Sequence, residues 1–167
     1  MFKKAARLSV IGALAVMLVG CGGPKTSEED MNAFIETALE LMDEQSTACA
    51  ELSDEVLRAG FESSEPADMD LIYEQSNKVK EIDREIRHLD EIPVEAEEMY
   101  SMLKGISDYS VSNASNMVQA SLASDMEQYV EFVEKATDDL NEMTYLIEDC
   151  ADEITELKAI YEKSAIK

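Results

Sequence analysis

Residues 122–161 read LASDMEQYVEFVEKATDDLNEMTYLIEDCADEITELKAIY. Within them Leu122, Met126, Tyr129, Val133, Ala136, Leu140, Met143, Ile147, Cys150, Ile154, Leu157 and Tyr161 alternate spacings of four and three without a miss. A period near 3.5 lines one side of an α-helix with apolar groups, and so narrow a stripe is a seam against other helices. The positions between are rich in Asp and Glu, so the opposite side is solvated.

The same rhythm recurs upstream. Met31, Ile35, Ala38, Met42, Gln45, Cys49, Leu52, Val56 and Ala59 form a first seam interrupted only by Gln45; Thr26 and Glu29 have capping-box spacing at its start, and Gly60 suits its end. Residues 60–66 have turn composition, with Pro66 placed to open a second helix carrying Met69, Ile72, Ser76, Val79, Ile82, Ile86 and Leu89. Ile92-Pro93 breaks that helix. A third seam comprises Ala96, Met99, Leu103, Ile106, Ser110, Asn113, Met117 and Ala120. Its second half, Ser107 to Asn116, is poor in large apolar groups and predicts loose packing, while Gly105 marks a kink or an end. The third and fourth seams are out of phase, which places a turn around Ser121 to Asp125 with Ser124 and Glu127 as a capping box. The rival is one continuous helix.

These segments predict an all-α protein: an antiparallel, up-down-up-down four-helix bundle with coiled-coil-like helices at about residues 28–59, 67–90, 94–120 and 124–163, forming one domain over residues 28–167. At 1.5 Å per residue the rod is about 40 to 60 Å long, with the fourth helix overhanging.

The chain has 167 residues, with 14 Lys and Arg against 37 Asp and Glu, a net charge of -23. That balance excludes roles built on gripping nucleic-acid phosphates or anionic headgroups.

The first twenty residues have a different character. Lys3, Lys4 and Arg7 precede an almost wholly apolar run from Leu8 to Val19, too short to cross a hydrocarbon layer and suited to a secretory signal peptide over residues 1–20. The run ends in Leu18-Val19-Gly20-Cys21, and here the chain resembles the bacterial lipoproteins, whose lipobox has this pattern. The resemblance implies cleavage after Gly20, a diacylglycerol on the Cys21 thiol and an acyl chain such as palmitate on the new amino terminus; the residues themselves give no reason to expect another cofactor. It also implies a membrane partnership through that anchor. Gly22 in place of Asp removes the inner-membrane retention signal of some Gram-negative lipoproteins, leaving the outer face of the cell membrane or the outer membrane. Loss of the leader removes three positive charges and leaves 147 residues with a charge of -26. Residues 21–27 then hold the anchored Cys21 and a short Gly-Gly-Pro tether, and the acidic body is repelled from the anionic surface that holds it.

Cys49 and Cys150 remain, both on seams of helices that are neighbours in a closed bundle, at similar but not identical heights counted from the shared end. Two states are open: a disulfide, contributing about 4 to 5 kcal/mol in the chain-entropy model, or two buried thiols acting as small core residues.

Chemistry is sparse. His88 is the single histidine; with Glu85 it has the Glu-x-x-His spacing of di-iron bundles, but no second histidine completes such a site, so no catalytic or metal residue is assigned. Asp68 and Asp70 open like a calcium loop, yet Tyr73 stands where Gly is needed and Val79 where Glu is. The sequence predicts a non-enzymatic, lipid-anchored module that binds, spaces or assists an envelope protein partner. The alternative is a cation- or ligand-binding lipoprotein using acidic faces such as Glu28-Glu29-Asp30 and Glu148-Asp149.

Overall fold

The computed structural model describes residues 25–62 and 66–164. Four α-helices run in order, α1 (Glu28–Leu57), α2 (Met69–Arg87), α3 (Glu97–Ser121) and α4 (Met126–Ser164), and they pack together with no strand among the described residues. A π-helical segment, Arg58–Glu62, continues α1, and a 3-10 turn, Val94–Ala96, precedes α3.

The starts are set by caps one residue later than the capping-box spacing predicts. Ser27, not Thr26, caps α1 by accepting from the Asp30 N–H at 3.1 Å. Asp68 caps α2 by accepting from Asp70 and Leu71, leaving Pro66 ahead of the helix and outside its first turn. At α4 the Asp125 carboxylate accepts from the Gln128 N–H, while Ser124 bonds the Gln128 side chain. A carboxylate near a helix N-terminus also meets the positive end of the dipole.

The ends differ too. α2 stops at Arg87, three residues short of the expected limit, because the His88 N–H turns back onto the carbonyls of Arg84, Glu85 and Ile86. Glu91 then adopts φ 59°, carrying the chain to Pro93 in a conformation costly for a side chain. Gly60 does not end α1. Tyr129 Oη donates to the Val56 carbonyl at 3.0 Å, the acceptor a Gly60 N–H would use in an α-helix, and the chain there widens into the π turn. The turn between α3 and α4 lies where the phase shift puts it, at residues 122–125, so the single long helix is excluded.

Burial follows the seams except at the start of the fourth, where Leu122 and Met126, expected to face inward, are exposed because they flank the turn at the end of the bundle. One core cluster joins Met31, Ile35, Ala38 and Met42 to Ile82 and Ile86, to Met99, Leu103 and Ile106, and to Met143, Cys150, Ile154, Leu157 and Tyr161. A second joins Ala48, Cys49, Leu52 and Val56 to Ile72 and Val79, to Ala114, Met117 and Ala120, and to Tyr129 and Ala136. Each fully buried large apolar side chain contributes on the order of 1.5 to 3 kcal/mol.

α3 is the hub, packed against α1, α2 and α4. Its Ser- and Asn-rich half is the reverse of loose: Ser107, Ser110, Asn113 and Ala114 are fully buried, since small side chains let three helices approach at once. The helix runs on to Ser121, so Gly105 does not end it. A Cβ there would lie 2.9 Å from Leu146 Cδ1, so its absence lets α4 sit close. The overhang of the fourth helix is also absent. Tyr129 reaches Val56 and Tyr161 Oη donates to the Thr26 carbonyl at 3.2 Å, so α4 is matched to α1 near both of its ends.

Candidate functional site

The anchor residue Cys21 and the lipobox residues Leu18, Val19 and Gly20 lie outside the described residues. What the structure places is the segment following them. The Lys25 N–H and the Thr26 hydroxyl both donate to the Glu95 carboxylate, the latter at 2.7 Å, and Thr26 also receives Tyr161. Burial opposes ionisation of Glu95, but hydrogen bonds from Thr26 and from backbone N–H groups outweigh it, and its carboxyl is held below the ordinary range. The chain entering the bundle is thus clamped to the start of α3 and the end of α4. Neither Thr26 nor Glu95 carries a sequence signal for this, because the contact spans about 70 residues of chain.

Cys49 and Cys150 are free thiols, both buried, and the structure forms no bridge between them. The expectation of similar heights is corrected by the register. Thr26 and Tyr161 mark one level, Cys49 lies 23 residues along α1 from it and Cys150 only 11 along α4. At 1.5 Å per residue that separates them by about 18 Å in height, far beyond the Cα separation of about 4.4 to 6.8 Å that a disulfide needs. Cys49 Sγ instead points at the Ser110 carbonyl at 3.8 Å. Burial pushes both thiols up to about 11, so they stay protonated and unreactive at neutral pH.

Between the apolar clusters lies a polar belt. Gln45, the one interruption of the first seam, is fully buried and donates to Ser107 Oγ at 3.0 Å; Ser107 donates to the Asp83 carboxylate at 2.8 Å, and Arg87 bridges Asp83 to Asp108. On the far side Ser110 donates to the Ile106 carbonyl, and Asn113 Nδ2 to the Ala136 carbonyl. Gln45 Oε1 and Asn113 Oδ1 are buried without a partner. Those two unpaired oxygens cost stability, while the satisfied bonds of the belt tie α1, α2, α3 and α4 together.

At the opposite end from the clamp, Glu55 is almost wholly buried, paired with Arg58 at 2.6 Å and accepting from the Asp68 N–H at 2.6 Å. The Arg58 guanidinium, then the Asp68 N–H, hold its carboxyl down at about 2. Sequence reading missed this clasp, although the Glu55/Arg58 spacing of three residues was visible.

His88 is exposed, its Nδ1 2.6 Å from the Arg84 carbonyl at the end of α2, and Glu85 is exposed beside it. Asp68 is a helix cap rather than part of a calcium loop. Among the described residues no group of three or more His, Cys, Asp or Glu is placed to hold a metal ion, and no helix is long and apolar enough to cross a membrane. Concave surface is shallow: one hollow runs along Glu28, Glu29, Asn32, Ala33 and Glu36, and another lies between Met31, Lys158 and Tyr161. No family model, curated protein or solved structure matches the chain.

Proposed function

We propose that this protein is a lipid-anchored, non-enzymatic helical module of the bacterial cell envelope, held by Cys21 at the outer face of the cell membrane or in an outer membrane, where it binds, spaces or assists another envelope protein. The observation that carries the reading is Leu18-Val19-Gly20-Cys21 at the end of a short basic-apolar leader, followed within a few residues by the start of a helical body. Several acyl chains at about 0.8 kcal/mol per buried CH2 give lasting attachment. The body takes the up-down-up-down, antiparallel arrangement. Supporting this, each core cluster combines the first half of one helix with the second half of the next in sequence, as alternating directions require.

Cys21→Ser is the test. The substituted chain is expected to leave the membrane fraction or to accumulate with its leader uncut, whereas the parent carries an acyl adduct on a chain beginning at Cys21. Mass spectrometry of native material that finds an intact Met1 and no adduct overturns the reading.

A further inference from the structure

The end of the bundle opposite the clamp exposes apolar side chains, two of them at the start of the fourth seam. Phe61 is 61 % exposed, Met126 57 %, Leu122 56 % and Val130 37 %. Leu122 and Met126 belong to the fourth stripe but emerge from the core here, as the residue just after α3 and the first residue of α4. The Phe61 ring stands edge-on to Tyr129, with centroids 5.3 Å apart, so the patch continues the core outward. Glycine at position 60 makes the contact feasible, since a Cβ would collide with the Tyr129 ring. The exposed ionic groups on the segments that meet at this end are acidic, Asp54, Asp68, Asp70, Asp125 and Glu127, with Glu131 paired to Lys135. Of the bases at this end, Arg58 is taken by Glu55 and Lys135 by Glu131.

We propose that this tip is a docking surface for a segment of another protein that presents an apolar cluster inside a ring of Lys or Arg. Exposed apolar groups within a charged rim are the form of a protein-binding site, and the sign of the rim selects the partner. Like charge opposes a second copy of this chain docking tip to tip, and it opposes an anionic bilayer. α1 separates tip from clamp by about 45 Å, so on the proposed anchored reading, which this inference deepens, the site stands well away from the membrane.

The test uses the full chain in non-ionic detergent and three immobilised peptides: Leu-Phe-Leu flanked on each side by two Lys, the same centre flanked by Glu, and Ser-Ser-Ser flanked by Lys. The first is expected to bind at least about tenfold more tightly than the others, and Phe61→Ser with Met126→Ser to remove about tenfold of that affinity while the helical content by circular dichroism is unchanged. Phe61→Leu retains binding, and Asp54→Asn with Glu127→Gln weakens it most at low salt. The proposal is overturned if the Lys/Ser peptide binds as well as the first, or if the tip substitutions change nothing. It is also overturned if the tip substitutions abolish a dimer seen in sedimentation or reduce binding to phosphatidylglycerol vesicles. None of these readouts depends on acylation. Peptide failure with Cys21→Ser release leaves the anchored reading intact, and tip binding without an acyl adduct removes only the anchor.

Discussion

Gly60 is small because Tyr129 occupies the space beside it: a Cβ at residue 60 would fall 2.2 Å from Tyr129 Oη. Gly60→Ala must push the ring off Val56 and Phe61, and chemical denaturation is expected to show a loss of about 1 to 3 kcal/mol, as overpacking gives elsewhere. Turn composition around residues 60–66 hinted that Gly60 was special, but as a helix end; the reason lies on a helix more than 60 residues away, which local sequence cannot reveal. Glu55 makes a pH prediction. Its carboxyl is at about 2 in the folded chain against 4.5 when unconstrained, held down first by Arg58 and then by the Asp68 N–H. A depressed folded value means stability present above 4.5 and lost as pH falls from there toward 2. The gap in thermal midpoint between the parent and Glu55→Gln should close over that window, and Arg58→Gln should close it as well.

Among the elements, α3 was the one sequence reading placed correctly and interpreted wrongly. Its seam residues Met99, Leu103, Ile106, Ser110, Asn113 and Met117 are all buried, and the small polar stretch is as fully buried as the apolar one. Periodicity reports which side of a helix faces inward, while the distance of approach depends on side chains of neighbours not yet assigned. The polar belt it carries is separable from stability. Gln45→Leu removes a buried carbonyl oxygen that has no partner and leaves Ser107 still bonded to Asp83. Thermal denaturation should show a gain of about 1 kcal/mol, with helix pairing less selective, since a buried polar group is dispensable for energy and useful for matching faces.

For the molecule as a whole, a charge of -23 spread over four solvated faces sets the response to solution conditions. Glu153 is an instance: burial, then Glu98 and Glu156, push its carboxyl upward, so its contribution is fully present at low pH and is lost as pH rises through its folded value. Stability is expected to rise with added sodium chloride at pH 7, which screens this repulsion, and to fall below pH 4.5 as the Glu55 contribution is lost. A thermal midpoint that falls with added salt at pH 7 would contradict this. Helix number and seam faces were readable because the apolar spacing repeats every few residues, and the α3–α4 turn because that spacing changes phase there. Caps were one residue off, and the thiol register was misjudged, because both depend on how ends abut rather than on period.

The clamp at Lys25 and Thr26 has a mechanical consequence. Tension arriving from the segment before Lys25 meets Glu95 at the head of α3 and Tyr161 near the end of α4 before it reaches the first turn of α1. A pull is thereby shared among three helices, loading these bonds together and sparing α1 from being peeled away one turn at a time.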